Sequence, residues 1–169
     1  MAEVQNIKNW HVLYTHSRAE FKVEQSLRVN EIEVFLPTMK TIKQWTDRKK
    51  EIIEALFKSY IFIFATEKDR LLSLEDKHVV RCLCDTGKPA IIPEWQIENL
   101  KRIINADRQP EVIEGLMSGT KVEITNGAFI GVCGTIVKIE NKNHLAISIE
   151  LINRTVIVHI TDETTFKNL

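Results

Sequence analysis

Apolar and polar positions along the chain change rhythm several times, and each change predicts an element. Trp10–Thr15 reads as a buried first strand. Ala19, Val23 and Leu27 then recur every fourth residue, the signature of one helix face. Ser17 stands where an N-cap is expected, with Glu20 at the reciprocal capping-box position. Val34–Met39 reads as a second strand whose Pro37 favours a sheet edge or a strand end. Thr41–Thr46 and Glu51–Leu56 are extended arms around Asp47-Arg48-Lys49-Lys50, the pattern of a hairpin with a basic tip. Tyr60–Phe64 and Val79–Cys84 read as strands, and Glu67–Leu74 as a short helix between them. Pro93 suits a first helical position, and Ile97, Leu100, Ile103 and Ile104 form the stripe of a helix ending near Asn105.

Ala106-Asp107-Arg108-Gln109-Pro110-Glu111 breaks the pattern, being polar and without period. A linker is expected over residues 106–116. Beyond it, Lys121–Thr125, Thr135–Glu140, Ala146–Leu151 and Thr155–Ile160 alternate as short strands. An Asn126-Gly127 turn follows the first of them, a dipeptide that tolerates positive φ, and Gly131 and Gly134 suit bends and close approach. The β-branched residues of Ile147–Ile160 favour strands over helices. The expected fold class is α+β: strands and helices over residues 1–105, then a small β-barrel over residues 117–169.

Charge narrows the partners. Lys and Arg total 23 and Asp and Glu total 23, so nothing in bulk favours tight, sequence-blind binding to nucleic acid. Any such contact must be local or assisted by a protein partner. Three cysteines, an odd number, do not make a disulfide scaffold. Cys82-Leu83-Cys84 lies in an apolar run and reads as buried; a metal site would need two further ligands that no nearby Cys or His pair supplies. The polar start Met-Ala-Glu-Val-Gln-Asn shows no signal peptide, and no apolar run nears the roughly 18 residues that span a bilayer. A reducing cytoplasm is the expectation. No phosphate-cradling glycine loop, HExxH or GxSxG is present, and the five histidines have no clear nucleophile partner, so no enzyme activity and no cofactor are expected.

The residues quoted so far occur in a recognisable order. Trp10-His11-Val12-Leu13-Tyr14 resembles the opening strand of the NusG family of transcription elongation factors, and Glu20 and Leu27 fit its first helix. Phe35-Leu36-Pro37 resembles the strand end that follows. Leu56-Phe57-Lys58-Ser59-Tyr60-Ile61-Phe62 corresponds to the family's Phe-Pro-Gly-Tyr-Val signature, with Lys58-Ser59 in place of Pro-Gly. Gly119–Gly134 resembles a KOW motif, the core of an SH3-like barrel. The stretches from Val80 to Gly87 and Pro89 to Pro93, with Asn126–Gly131 and Leu151-Ile152-Asn153-Arg154, resemble the specialised RfaH-like branch. The overall character is similar to UpxY-type antiterminators of capsular polysaccharide operons.

The resemblance implies an NGN domain, an antiparallel sheet flanked by helices, over 1–105, a linker over 106–116 and a KOW domain, a small SH3-like β-barrel, over 117–169. It implies a factor that binds RNA polymerase at the clamp helices and suppresses pausing or termination. The implied polymerase-binding residues are Tyr14, Phe57, Tyr60, Leu83, Ile97 and Leu100, although a helix stripe such as Ile97 and Leu100 reads equally as core. Implied contacts to the non-template DNA strand are His16, Arg18 and Lys22; a solvated helix face is the alternative. A His-Thr-Thr contact of the RfaH kind is missing, since Leu72-Ser73-Leu74 stands near its place. The KOW domain is expected to recruit a ribosomal protein or Rho through Phe129, provided that ring is exposed rather than folded over the barrel end. A ribosome- or RNA-binding KOW protein is the other reading of the barrel, but it would not be expected to carry the pattern from Trp10 to Ile104.

Overall fold

A computed structural model describes residues 6–106 and 109–169. Met1–Gln5, read above for a signal peptide, and Asp107-Arg108 of the expected linker lie outside the described residues. Among those described, three α-helices and antiparallel sheets make an α+β fold. They form two compact units, one up to Glu94 and one from Trp95 to Leu169.

The first unit is built on β1 (Asn9–Thr15), α1 (Glu20–Val29), β2 (Glu33–Phe35), β3 (Thr38–Gln44), β4 (Lys49–Ala55), β5 (Tyr60–Ala65), α2 (Glu67–Ser73), β6 (Val79–Cys82), β7 (Cys84–Asp85) and β8 (Lys88–Pro89). Its main sheet runs β2-β5-β1-β6, all antiparallel. Leu13 stands opposite Ile61, and these side chains join Ile63, Val23 and Leu27 in one buried cluster, so α1 covers this face. The opposite face carries a row of aromatic rings: Trp10 opposite Phe64, Phe62 opposite Val12, and Tyr14 opposite Tyr60.

Local chemistry explains the boundaries. Proline has no amide hydrogen to give to a ladder, so the strand expected over Val34–Met39 is divided into β2 and β3 at Leu36-Pro37. Leu56 N–H instead donates to the Pro37 carbonyl (2.8 Å). Ser17 does not cap α1. Arg18 takes a left-handed φ of 62°, Ala19 becomes the N-cap without a side-chain bond, and Glu20 is used elsewhere. A full capping box occurs instead at α2, where Thr66 Oγ1 accepts from Asp69 N–H and the Asp69 carboxylate accepts from Thr66 N–H.

The second unit contains α3 (Glu94–Asn105, from Trp95), β9 (Glu111–Glu114), β10 (Thr120–Asn126), β11 (Cys133–Ile139), β12 (Lys142–Ile149), β13 (Arg154–His159) and β14 (Thr165–Asn168). Its sheet runs β14-β10-β11-β12-β13-β9. Two of these strands lie outside the expected set. β9 falls within the stretch read as linker, pairing with β13 so that Val112 faces Val156 and Glu114 faces Arg154. β14 pairs with β10. α3 groups with this sheet in the second compact unit.

Leu145, Ile147, Val156 and Val158 are buried, and so are Val137, Ala146 and Ile157 in a separate cluster. Both faces of β12 and β13 therefore carry core. Gly127 (φ 102°) and Gly131 (φ 77°) hold the positive-φ positions of the loop before β11, as their lack of a Cβ permits.

Candidate functional site

Along the aromatic face of the first sheet, burial falls off at both ends of β5, where Phe64 and Tyr60 are half-buried. Trp10, Val12 and Phe62 are buried, whereas Tyr14 and Tyr60 are half-buried. The last two rings lie 5.4 Å apart at 58°. Arg81, opposite Tyr14 on β6, places its guanidinium carbon 5.7 Å from that ring's centroid. Leu83, also half-buried, follows directly, its N–H donating to the Val12 carbonyl (2.9 Å). Strand register thus gathers two phenol rings and a guanidinium on one patch beside a half-buried leucine. Rings with a polar tip and a stacked cation suit a docking surface. Arg81 carried no signal in the sequence, because only the β1–β6 register brings it to Tyr14.

The other expected polymerase contacts lie elsewhere. Phe57 is 2% exposed and meets Phe62 edge-on at 6.0 Å, a core packing role. Ile97 and Leu100 are fully buried on α3.

The turn between β4 and β5 that precedes Tyr60 is fixed from α1. Buried Glu20 accepts a hydrogen bond from Ser59 N–H at 2.6 Å, and Ser59 adopts a left-handed φ of 66°. Such a backbone position favours glycine, so Ser59 occupies it at some cost.

His16, Arg18 and Lys22 are all exposed around the start of α1. The His16 N–H donates to the His78 carbonyl (2.9 Å), which ties this segment to the chain before β6. Phe21, beside them, is also exposed.

In the second unit, α3 is fastened to the start of β11 by one side chain. The Asn99 amide donates to the Cys133 carbonyl (2.9 Å) and accepts from the Cys133 N–H (3.4 Å). Arg102, Asn105 and Ala106 line an open cleft with Ala128, Ile130 and Gly131. Phe129 is 2% exposed, so the ring expected to recruit a partner is part of the core. Its neighbour Ile130, 61% exposed, is the apolar side chain that this loop presents.

Among buried polar groups, the His11 Nδ1 bonds the Ala90 carbonyl (2.8 Å), and burial pushes its pKa below the usual 6.5. Arg70 is 7% exposed and is held by the Glu67 carboxylate at 2.5 and 2.8 Å. Burial raises the pKa of the Cys82 thiol, against the opposing charge of Arg70. The Cys82-Leu83-Cys84 run is split: Cys82 is buried, but Cys84 is exposed, because the chain leaves β6 for the short β7. No group of three or more His, Cys, Asp or Glu side chains able to hold a metal occurs among the described residues. No helix among them is long and apolar enough to cross a membrane.

A family model described as "Transcription termination factor nusG" matches residues 8–101. The transcription termination/antitermination protein NusG of Pasteurella multocida (strain Pm70) is 23% identical over 175 residues, covering 95% of each chain. Among solved structures, one concerning domain interaction in Thermotoga maritima NusG superposes with a TM-score of 0.54 at 20% identity, covering 93% of this chain and 96% of that one. The MjSpt4:Spt5 complex in conformation B is more distant, with a TM-score of 0.36 at 15% identity over 95% of this chain and 97% of that one. The β1–α1 and β4–β5 segments that build the tyrosine patch fall within the matched residues, and the chain belongs to the NusG family of transcription factors.

Proposed function

We propose that this protein is a specialised NusG-family elongation and antitermination factor that binds RNA polymerase at the clamp helices and suppresses pausing or termination at selected operons. The observation that carries the reading is the half-buried Tyr14–Tyr60 pair with Arg81, an aromatic patch with polar tips at one end of the first sheet. A helical tip docking on it would bury two aromatic anchors. Leu83 would add apolar area beside them.

Preferential binding to one clamp state is sufficient for the effect, since a ligand shifts an equilibrium by its differential affinity. Catalysis remains with the polymerase. His16, Arg18 and Lys22 are the proposed contacts to the non-template strand, with the exposed charges of Arg18 and Lys22 for phosphates. The domain division proposed is NGN over 1–105 and KOW over 117–169, with β10 to β14 as the strands of the KOW barrel. In this reading the Ile130 loop, rather than Phe129, meets a ribosomal protein or Rho. Capsular polysaccharide operons are the proposed targets, by similarity to UpxY-type factors, and the site of action is the cytoplasm.

Capture of core RNA polymerase by the purified full-length protein tests the reading. Capture that the isolated clamp-helix segment competes away supports it. No capture under conditions where a housekeeping NusG binds would refute it.

A further inference from the structure

Strands β3 and β4 pair only with each other, and every residue from Ile42 to Glu51 is exposed. A two-stranded ribbon is marginal alone in water, so side chains at its tip add little to the fold. The tip nevertheless carries a tryptophan, 52% exposed. The register pairs Lys43 with Lys50 and Gln44 with Lys49. Trp45 N–H then donates to the Arg48 carbonyl (2.8 Å), leaving Thr46-Asp47 as the turn.

Residues opposite one another share a face, and faces alternate along a strand. Trp45, Arg48, Lys43 and Lys50 therefore project on the same side. The Lys50 ammonium lies 5.8 Å from the Trp45 ring centroid. Two lysines directly opposite each other are unfavourable for the ribbon itself. Further from the tip, Lys40 pairs with Glu51 (3.2 Å) and Lys43 with Glu54 (2.5 Å). Among the described residues, no carboxylate lies within 4.0 Å of the Arg48, Lys49 or Lys50 cationic groups. Asp47 is the one acid at the turn. The exposed end of the ribbon thus combines uncompensated cations with an open aromatic ring.

We propose that this face of the hairpin binds single-stranded nucleic acid, one unpaired base stacking on Trp45 while Arg48 and Lys50 take the flanking phosphates. An acidic protein segment would satisfy the cations but leave the ring without a flat partner. A duplex would offer phosphates but keep its base faces stacked. The zero net charge of the chain confines the attraction to this tip, so the affinity is modest and falls with salt.

The test uses the full-length protein and labelled oligonucleotides of about a dozen nucleotides, as single-stranded DNA, single-stranded RNA and duplex, with binding read by anisotropy at low salt. Either single strand should bind about tenfold more tightly than duplex, and the tighter of the two identifies the physiological strand. Trp45→Ala should weaken that binding about tenfold, whereas Trp45→Phe should retain most of it. Arg48→Ala with Lys50→Ala should lower the slope of log affinity against log salt by about 1.4, at roughly 0.7 per phosphate. Trp95→Phe, altering another exposed tryptophan, should change nothing. Circular dichroism checks that each variant is folded. Equal affinity for duplex, indifference to Trp45→Ala, or equally effective displacement by polyglutamate would each overturn the proposal. Because no polymerase is present, such an outcome leaves the clamp-helix reading to its own test.

Discussion

Glu20, at the first position of α1, accepts a hydrogen bond from the backbone of Ser59, 39 residues later, at 2.6 Å. The carboxylate is buried, so this bond joins the helix to the left-handed turn that precedes Tyr60. Glu20→Ala should cost roughly 1.5–3 kcal/mol, the range for a hydrogen bond to a charged group. Glu20→Gln keeps an acceptor and should cost less. Ser59→Gly should stabilise by up to about 1 kcal/mol, since glycine takes positive φ without a Cβ penalty. Urea unfolding of the three variants checks the ordering, and a destabilised Ser59→Gly would contradict the account.

That relationship also marks what could be read locally. The apolar rhythms located β1, α1, β5, α3 and β10 to β13 within a few residues, because burial on one face writes a period into the sequence. β9 and β14 left no such trace. β9 has only Val112 and Ile113 between two glutamates, and β14 is exposed throughout. Ser17 and Glu20 matched a capping box in spacing, yet the left-handed Arg18 redirected the chain and Ser59 claimed the carboxylate. Long-range pairing decided both. The candidate site shows the same limit. Residue type alone does not separate a groove from a core, and the candidate contacts Phe57, Ile97, Leu100 and Phe129 are buried. The meeting of Tyr14, Tyr60 and Arg81 depends on register between strands far apart in sequence.

For the proposed polymerase site, Tyr14→Ala combined with Tyr60→Ala should weaken binding to the clamp helices at least tenfold. Truncating a desolvated aromatic anchor commonly costs about 2 kcal/mol or more. Lys138→Ala, on an exposed position of β11, should leave affinity within about twofold. Titration of labelled protein against core polymerase makes the comparison. A folded double-tyrosine variant that binds like wild type would remove the patch from the interface.

Acid sensitivity should begin with His11. Burial depresses its folded pKa; the Ala90 hydrogen bond opposes that shift, Arg70 adds to it and Glu67 counters it. The unfolded chain takes up a proton near 6.5 while the folded chain does not. Stability from this group is therefore present above pH 6.5 and is lost as the pH falls through that value, until the lower folded pKa is passed. His11→Gln should flatten the dependence just below pH 6.5, a window above the ordinary carboxylate range. Unfolding free energies at several pH values provide the slopes, and an unchanged slope would exclude His11 as the source.

The last prediction separates two roles of glycine in the second unit. Gly127 has a φ of 102°, so a side chain there is strained by the backbone itself. Gly134 has no such constraint, but an added Cβ would stand 2.8 Å from the Ala146 carbonyl oxygen and 2.8 Å from Leu145 Cδ1. The carbonyl belongs to β12, which pairs with β11 on that side, so relief requires the ladder itself to move. Gly127→Ala should cost about 1–2 kcal/mol, the usual penalty for a left-handed alanine. Gly134→Ala should cost at least as much, in the manner of an overpacked core. The distinction lies in where the damage falls. Hydrogen exchange should quicken at the loop amides around Ile130 for Gly127→Ala, and along Thr135–Val137 and Leu145–Ile147 for Gly134→Ala. Protection unchanged in β11 and β12 of the Gly134 variant would show that the two strands tolerate a side chain at their closest approach.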